Sequence, residues 1–282
     1  MGLKDNIILG KEIATPIYEK IEREVPVLTK KPHVAIMRVG EDSSQLAYER
    51  SAVRLFERSH ITVTCHAFAP NVTQEKWDKD FDVINDSEDV TGILVLKPLP
   101  ASLSDEHIKH HIHPLKDIDC IGLENIGNVY LGQHETFGPC TAEACLLILD
   151  EIKEECAGKR VTIVGFGEVV GRPLAHYLTR RGATVTVCHT RTKDLVSETK
   201  RADIVIAAAG QAGLITSDHI KEGAIVIDVG INVDENGRLV GDVNFKDVQP
   251  KCKAITPVPG GVGTVTNAIL VAHAVEAAKK QS

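Results

Sequence analysis

The sequence lacks any long apolar run and any excess of positive charge. No stretch of eighteen consecutive apolar residues occurs, whereas a helix needs about 20 to cross a bilayer. Lys and Arg total 32 against 39 Asp and Glu, which gives a formal net charge of −7. A chain of that charge does not favour binding along the phosphates of a nucleic acid. These absences exclude a membrane-spanning helix and make nucleic acid an unexpected partner.

The beginning of the sequence lacks the features of a targeting segment. Residues 1–16 carry charges where a signal peptide would need its apolar stretch. Position 6 is Asn, whereas the myristoylation pattern needs Ser or Thr there. We therefore expect a soluble, cytoplasmic protein.

Paired cysteine motifs are also absent. The 7 Cys residues are odd in number and form no CxxC pair. A disulfide framework or a zinc ribbon needs closer, paired spacing, so we predict reduced and mostly buried thiols. The histidines of residues 107–113 suggest a metal site, but we predict that they lie on the solvated surface of a short helix that ends at Pro114. We predict no bound metal.

Apolar segments in the first half of the chain alternate between strand and helix patterns. The 282 residues, 43% of them hydrophobic, suffice for about two domains with sizeable cores. We predict strands at 33–39, 61–69 and 92–96, and helices at 42–60 and 74–85. Residues 114–139 are rich in Gly, Asn and Asp and are predicted to form a loop and crossing segment. This order predicts βαβ units around a parallel sheet.

The alternation begins again after residue 140. Thr141 is predicted to cap a helix. The further predicted strands are 160–167, 183–189, 203–210 and 224–230 with a last one from 254, and the further helices are 172–182, 192–202 and an amphipathic one at 264–280. Residues 234–238 (DENGR) are typical of a hairpin turn. The second half is thus predicted to form another α/β domain.

A glycine motif joins the first strand and helix of the second half. Gly165, Gly167 and Gly171 form a GxGxxxG pattern. Gly165 and Gly167 permit a tight turn and a close backbone approach, so that N–H groups of the helix can face a phosphate. A plain tight turn of an α/β sheet stays an alternative. The position between strand and helix favours dinucleotide binding.

The next strand ends at residues that favour NADP over NAD. Thr190 and Arg191 stand where an NAD-binding fold usually has Asp or Glu for the ribose 2′-hydroxyl. A hydroxyl and a guanidinium suit a 2′-phosphate instead. The alternative is that Arg191 is a solvated charge at the turn. We predict NADP as the cofactor.

Seven blocks follow one another along nearly the whole chain. They are VGEDSSQLAYERS (39–51), GILVLKPLP (92–100), HPLKDID (113–119), GPCT (138–141), VGFGEVVGRP (164–173), VIDVGIN (226–232) and ITPVPGGVG (255–263). Together they resemble the methylenetetrahydrofolate dehydrogenase/cyclohydrolases of folate one-carbon metabolism. The last three blocks are the most specific.

The resemblance implies an α/β protein of two domains with a cleft between them. The N-terminal α/β catalytic, folate-binding domain would span 1–140 and be joined by the C-terminal helix 264–282. A C-terminal Rossmann NADP-binding domain would span 141–263. The resemblance also implies a reduced folate as the small-molecule substrate and a homodimer formed through the nucleotide domain.

The resemblance further implies roles for single residues. Tyr48 would face the pterin, and Asp119 would accept hydrogen bonds from its amino-pyrimidine edge; without the family, Asp119 would read as a turn residue. These two would be the catalytic residues. The other substrate-binding positions would be Ala52, Val95, Leu96, Lys97, Pro259, Gly260, Gly261, Val262 and Gly263. The cofactor-binding positions would be Gly165, Phe166, Gly167, Thr190, Arg191 and Ile231.

Two positions depart from the family pattern. Ala52 takes the place of the lysine in Y-x-x-x-K, which acts in cyclohydrolase chemistry, and Leu96 takes the place of the glutamine in V-Q-L-P-L-P, which positions that lysine. Losing both is consistent, because either polar side chain buried alone would be costly. Arg50 and Arg54 lie on other turns of the helix and remain charged. Lys97 is adjacent to Leu96 on a strand and is expected to point to the opposite face.

We therefore predict NADP-dependent oxidation of 5,10-methylenetetrahydrofolate to 5,10-methenyltetrahydrofolate, with the cyclohydrolase activity lost or nearly lost. Hydride transfer mainly requires alignment of two reactants, whereas hydrolysis requires an acid–base group. One alternative is a bifunctional enzyme in which Lys97 or water replaces the usual pair. An alternative of another class is a non-catalytic folate- or nucleotide-binding protein.

Overall fold

A computed structural model describes residues 6–132 and 137–282, and these fall into two compact units. The first unit comprises Pro16–Cys140 and Asn267–Ser282. The second comprises the described residues up to Thr15 together with Thr141–Thr266. Each unit has its own parallel sheet, so the predicted two-domain α/β class is confirmed.

Strands and helices alternate through the first unit. In chain order its segments are β1 (His33–Val39), α2 (Ser43–Arg58), β2 (Thr62–Phe68), α3 (Gln74–Asp86), β3 (Gly92–Val95), α4 (Glu106–His111) and α5 (Leu123–Leu131), after most of helix α1 (Gly10–Glu24). Strands β2, β1 and β3 lie in that order, with His33 opposite Thr62 and Val34 opposite Gly92. Trp77 and Phe81 of α3 are fully buried against this sheet's apolar core. The apolar period of the helices thus covers a sheet whose central strand β1 is buried.

The second unit is built on a five-stranded parallel sheet. Its segments are α6 (Cys140–Glu151), β4 (Arg160–Val164), α7 (Gly171–Arg180), β5 (Thr184–Cys188), α8 (Leu195–Lys200), β6 (Ile204–Ala207), β7 (Ile225–Asp228), β8 (Asn232–Val233), β9 (Leu239–Val240), α9 (Phe245–Val248), β10 (Ala254–Ile255) and the start of α10 (Val262–Lys280). The parallel order is β10-β7-β6-β4-β5. Strands β6 and β7 are buried throughout, which is typical of a parallel sheet covered on both faces. The hairpin predicted at DENGR is confirmed by the antiparallel pair β8–β9.

Four helical predictions differ from the structure. Helix α1 is not predicted from the sequence, and α5 lies within the predicted loop 114–139. Helix α5 forms because buried Asn125 donates hydrogen bonds to the Pro114 carbonyl and the Asp117 carboxylate, so tertiary contacts override weak propensity. Helix α6 begins at Cys140, which places Thr141 inside the first turn and not at the cap.

The final helix is not amphipathic. Apolar side chains of α10 are buried on more than one face, among them Val265, Leu270, Val271 and Ala274. A helix that is apolar all round is an interior helix. The prediction of a solvated face at 264–280 is therefore wrong.

Residues 6–15 belong to the second unit, whereas the sequence predicts a single domain over 1–140. Ile8 N–H donates to the Ile255 carbonyl at 2.8 Å, and Gly10 N–H donates to the Gly260 carbonyl at 2.8 Å. These backbone bonds extend the sheet edge beside β10, which is a long-range pairing that local sequence patterns do not reveal.

No disulfide joins the cysteines, and all but Cys65 are buried. This confirms the prediction of mostly buried thiols. Among the described residues, no helix is long and apolar enough to cross a membrane.

Candidate functional site

Helix α2 presents Tyr48 from a firmly anchored position. Asp42 caps the helix by accepting from the Ser44 and Gln45 N–H groups at 2.9 and 3.1 Å. One residue beyond Tyr48, the Glu49 carboxylate, whose side chain is 13% exposed, accepts a hydrogen bond from Arg38 of β1 at 2.8 Å. The cap and the buried ion pair fix both the axis and the rotation of the helix.

A buried carboxylate shapes the loop that carries Asp119. Asp117 accepts hydrogen bonds from the Ile121 and Gly122 N–H groups, both at 2.9 Å, and from Asn125 Nδ2 at 3.1 Å. Burial raises the pKa of Asp117 to about 6, although the N–H donors oppose this shift. Asp117 is thus a structural carboxylate whose oxygens hold the loop closed.

Asp119 lies beside a thiol and an imidazole. Cys140 Sγ lies 3.4 Å from the Ile118 carbonyl and 3.5 Å from His273 Nδ1, and it also hydrogen-bonds the Asp119 side chain. His273 Nδ1 lies 2.9 Å from the same Ile118 carbonyl. A carbonyl only accepts, so Nδ1 carries a proton and donates it there. His273 therefore fixes the backbone next to Asp119 and is not a base for the thiol.

Tyr48 is half-exposed as a residue, and its phenol is a proton donor at neutral pH because the usual pKa of tyrosine is about 10. Burial raises the pKa of the Tyr48 phenol well above its usual value, and the nearby Asp119 and Cys140 add to the shift. Burial also raises the pKa of Asp119, whereas the Cys140 hydrogen bond and the charges of His273 and Lys97 lower it. The predicted pair, Tyr48 and Asp119, is therefore brought together as a neutral hydroxyl beside a carboxyl group.

The positions that depart from the family pattern are buried and apolar. Ala52 is 4% exposed and Leu96 is 2% exposed. Val95 ends β3, and the Leu96 N–H donates to the Met37 carbonyl at 2.9 Å, which continues the sheet for one residue. Neither Ala52 nor Leu96 can accept, donate or hold a proton with its side chain.

Lys97 is engaged by an acidic residue of its own unit. Its Nζ lies 2.6 Å from Asp105 Oδ2, and its side chain is 39% exposed. The charge of Lys97 also contributes to lowering the pKa of Asp119. Asp105, the partner of Lys97, stands just before α4, and the expectation that Lys97 points away from Leu96's face stays a prediction.

The glycine motif of the second unit forms a tight turn. Gly165 has a φ of +125°, and a Cβ there would overlap the Ala208 carbonyl. A Cβ at Gly171 would overlap the backbone of Gly165, so α7 packs directly on the turn. Nothing lies within 4 Å of a Cβ built at Gly167. The Val170 side chain does not cap α7; instead the Arg172 N–H donates to the Gly167 carbonyl at 3.0 Å, and Pro173 has no N–H.

The turn after β5 is ordered, and its basic side chain is exposed. The Arg191 N–H donates to His189 Nδ1 at 3.1 Å, and the His189 N–H donates to Thr192 Oγ1 at 2.9 Å. Thr190 and Arg191 are both exposed, and the guanidinium makes no hydrogen bond or ion pair with a described residue. The backbone is thus fixed while the guanidinium is available to a ligand.

The other predicted residues of the second unit lie in two loops. Phe166 and Ile231 are exposed, and the Arg172 guanidinium lies 5.1 Å from the centre of the Phe166 ring. The segment from Pro259 to Gly263 passes into α10, where Val262 is buried and Gly263 is open. Gly260 has a φ of +100°, and a Cβ at Gly261 would overlap the Pro257 carbonyl. The glycines at 260 and 261 are therefore required by backbone geometry.

Sequence reasoning missed several neighbours of these residues. Cys140 stands in the GPCT block but received no role, and His273 gives no signal within an apolar helix. Buried Gln45 donates from Nε2 to the Pro98 carbonyl at 2.7 Å, and so joins α2 to the segment after Lys97. Cys140, His273 and Gln45 take these positions through contacts between segments that are distant in the sequence.

The histidine-rich helix α4 is only partly a solvated surface. His107 Nε2 lies 2.7 Å from Asp82 Oδ1, and the His107 ring meets Phe81 edge-on. His111 stacks on His107 with ring centres 4.2 Å apart. Within residues 6–132 and 137–282, no cluster of His, Cys, Asp or Glu has the arrangement of a metal site.

Comparisons with known proteins give one consistent result. Residues 8–119 match the model of the tetrahydrofolate dehydrogenase/cyclohydrolase catalytic domain, and residues 139–282 match the NAD(P)-binding domain of the same family. The bifunctional protein FolD of Clostridioides difficile is 42% identical over 285 residues, which cover 100% of this chain and 99% of that protein.

Solved structures agree with the sequence matches. The bifunctional FolD of Campylobacter jejuni is 37% identical with a TM-score of 0.95, covering 98% of this chain and 99% of that one. The Trypanosoma brucei methylenetetrahydrofolate dehydrogenase-cyclohydrolase, solved with NADP and an inhibitor, is 33% identical with a TM-score of 0.91 and 97% coverage of both chains. The chain therefore belongs to the tetrahydrofolate dehydrogenase/cyclohydrolase family.

Proposed function

We propose that this protein oxidises 5,10-methylenetetrahydrofolate to 5,10-methenyltetrahydrofolate with NADP, and that it has lost, or nearly lost, cyclohydrolase activity. One observation carries the second half of this proposal. Ala52 and Leu96 are both buried and apolar at the two positions where the family pattern has a coupled lysine and glutamine. The residues assigned to folate and nucleotide binding are retained.

The second unit fits a phosphorylated dinucleotide. The glycine turn ends β4 with open space beside Gly167, so a pyrophosphate would be able to approach the backbone closely there. The exposed Arg191 guanidinium and Thr190 hydroxyl are suited to a 2′-phosphate. When bound, NADP would supply the acceptor for a hydride.

The first unit would hold and orient the folate. The Asp119 carboxylate would accept hydrogen bonds from the amino-pyrimidine edge of the pterin, a planar surface with two donors. Tyr48, kept as a neutral phenol, would donate or pack beside it. The ring nitrogens of the folate push electrons toward the departing hydride, so the protein mainly has to align the reactants. This chemistry requires no side chain at positions 52 and 96.

Hydrolysis of the methenyl ring makes different demands. Water has to lose a proton as it attacks, and the leaving nitrogen has to gain one, which requires a tuned acid–base group. Ala52 and Leu96 offer neither. Arg50 and Arg54 are exposed and remain charged, so they cannot accept a proton.

The alternative is a bifunctional enzyme, and the names of the relatives favour it, because the FolD proteins above are called bifunctional. In that case Lys97 or bound water would replace the usual pair. Lys97 is held by Asp105 at 2.6 Å, and an ammonium ion in such a pair has no lone pair with which to accept a proton. The local geometry therefore favours the loss of hydrolysis.

An absorbance assay that follows NADPH and methenyltetrahydrofolate separately distinguishes these proposals. Purified protein given methylenetetrahydrofolate and NADP should form NADPH, and methenyltetrahydrofolate should then decay only at its rate in buffer. Hydrolysis of added methenyltetrahydrofolate well above the buffer rate would refute the loss, and Lys97→Met would then show whether that lysine is responsible. No NADPH at all would favour a non-catalytic folate- or nucleotide-binding protein.

Restoring the two polar residues gives a second arm of the test. Ala52→Lys alone should do little, because the lysine would lack its hydrogen-bonding partner. Ala52→Lys combined with Leu96→Gln should restore more hydrolysis than the sum of the single changes, since the two side chains act as one unit. Leu96→Gln alone is the matched control.

A homodimer formed through the nucleotide domain and a cytoplasmic location stay predictions. Light scattering after size-exclusion chromatography would test the first, with a mass of twice 30.6 kDa expected.

A further inference from the structure

The carboxylate of Asp242 collects donors from two separate loops of the second unit. Its Oδ2 accepts from the Ala209 and Gly210 N–H groups at 2.5 and 3.0 Å, in the loop after β6. Its Oδ1 accepts from the Gln211 N–H and from Asn232 Nδ2, both at 2.9 Å. Asn232 begins β8, directly after the loop that follows β7. One carboxylate therefore ties together the ends of two neighbouring strands.

A second carboxylate, Asp228, completes the arrangement from the end of β7. Its Oδ1 accepts from the Gly230 and Asp242 N–H groups and its Oδ2 from the Val243 N–H, all at 3.0 Å. The Asp228 N–H donates to Thr256 Oγ1 at 2.7 Å, beside the segment that leads to α10. Asp228 and Asp242 are both buried.

The packing around these carboxylates leaves no room for adjustment. A Cβ at Gly230 would overlap the Asp242 carboxylate, and a Cβ at Gly241 would overlap the Asp228 carboxylate. The backbone at Gly230 and Gly241 therefore lies in direct contact with the two carboxylates. Ile231, between Gly230 and Asn232, remains 69% exposed. The exposed Ile231 side chain thus lies between Gly230 and Asn232, which are held by hydrogen bonds to the Asp228 and Asp242 carboxylates.

We propose that Asp242 is a positioning residue that acts through Asn232 to hold Ile231 against the nicotinamide ring. This rests on the proposed function, which assigns Ile231 to the cofactor. Hydride transfer depends steeply on the distance and angle between donor carbon and acceptor ring. The carboxylates of Asp242 and Asp228 accept hydrogen bonds from N–H groups of the loop around Ile231 and so hold it in place. A loop held in this way would fix how closely the nicotinamide ring approaches and which of its faces Ile231 contacts.

Asn232→Ala is the variant that tests the proposal, because it removes one side-chain donor and leaves the three backbone donors of Asp242 in place. The kcat/KM for NADP should fall about tenfold, while the KM for methylenetetrahydrofolate and the thermal midpoint should stay unchanged. Inhibition by adenosine 2′,5′-bisphosphate, which lacks the nicotinamide, should also stay unchanged. Asn236→Ala is the matched control, because Asn236 is exposed at the hairpin turn and its side chain makes no contact with either carboxylate.

Unchanged kinetics in Asn232→Ala would overturn the proposal. An equal loss of affinity for NADP and for adenosine 2′,5′-bisphosphate, or a lowered thermal midpoint, would also overturn it, because either result would indicate a general structural role. Failure of the proposed function is a separate outcome, seen as no NADPH formation by the unaltered protein. NADPH binding to both variants, followed by fluorescence, would still test the role of Asn232 in that case.

Discussion

Asp117 and Asp119 lie two positions apart in one loop, and their different hydrogen-bond partners indicate different roles. The oxygens of Asp117 are occupied by two backbone N–H groups and the Asn125 amide. Asp119 is half-buried and is contacted from one side by Cys140. A saturated carboxylate maintains a loop, whereas one with accepting capacity left can bind a ligand.

Asp119→Asn should raise the KM for methylenetetrahydrofolate far more than the KM for NADP. The change keeps the size of the side chain but turns one acceptor oxygen into a donor, which would face a donor of the pterin. Steady-state kinetics with each substrate varied in turn measures the effect. Asp117→Asn is the contrast, since it should lower the thermal midpoint. Unchanged constants for both substrates in Asp119→Asn would show that it is a loop residue only.

Arg191→Ala should weaken NADP binding selectively. If the guanidinium makes a charge-assisted contact with the 2′-phosphate, the loss is about 1–3 kcal/mol. Kinetic constants for NADP and NAD in the same protein measure it, and the NAD constants should not move. Lys193→Ala, an exposed cation two residues away, is the control. Equal use of NAD and NADP by the unaltered protein would contradict the assignment.

At the scale of elements, strand β4, the glycine turn and helix α7 act as one unit. The strand ends at Val164, and the turn folds back so that Gly171 meets the backbone of Gly165. The start of the helix is thereby placed at the carboxyl end of the parallel sheet, where this class of fold binds its ligands. Two glycines of one motif therefore have different roles, because Gly171 packs against the backbone of Gly165 whereas Gly167 faces open space.

Gly171→Ala and Gly167→Ala should separate the packing role of Gly171 from the ligand-facing role of Gly167. The methyl group at position 171 would overlap backbone atoms, and we expect a loss of stability of about 1–3 kcal/mol together with weaker NADP binding. The methyl group at position 167 meets no protein atom within 4 Å, so stability should be retained while binding falls. Chemical denaturation and NADPH fluorescence measure the two effects. Equal stability of both variants would contradict the packing role of Gly171.

At the scale of the whole molecule, buried carboxyl groups couple folding to pH. Burial, with the neighbouring charge of Asp242, raises the pKa of Asp228 to about 7 against the opposing N–H donors. Burial likewise raises the pKa of Asp117 to about 6. A native state that holds a proton more tightly than the unfolded chain gains stability as the pH falls through the native pKa.

The Asp228 group should therefore stabilise the fold increasingly as the pH falls from 8 toward 5. Between its unfolded and native pKa values the gain approaches about 1.4 kcal/mol per pH unit. Urea unfolding of the unaltered protein and of Asp228→Asn across this range measures it, because shared groups such as Asp117 cancel in the difference. Parallel pH profiles of the two proteins would contradict the shifted pKa.

Local patterns sufficed for much of the fold. The strand β1 and the helix α3 are placed within a residue or two of their predicted ends, because alternating and 3.6-residue apolar periods reflect burial directly. Helix α5 escaped prediction, since its stability comes from the buried Asn125 and not from its own propensity. The amphipathic reading of α10 failed because a helix packed on several faces has no polar side.

The sequence was enough to identify the family, to predict two α/β sheets and the glycine turn, and to place Ala52 and Leu96 where the family resemblance expects a lysine and a glutamine. These are properties of residue type and order along the chain. The folded structure adds that Cys140 hydrogen-bonds Asp119, that His273 donates to the neighbouring Ile118 carbonyl, and that Asp242 joins the loops after β6 and β7. Such contacts link residues that are between 10 and 155 positions apart, and no local period encodes them. They exist because buried carboxylates and carbonyls must find donors, and folding brings those donors from whichever segment lies near.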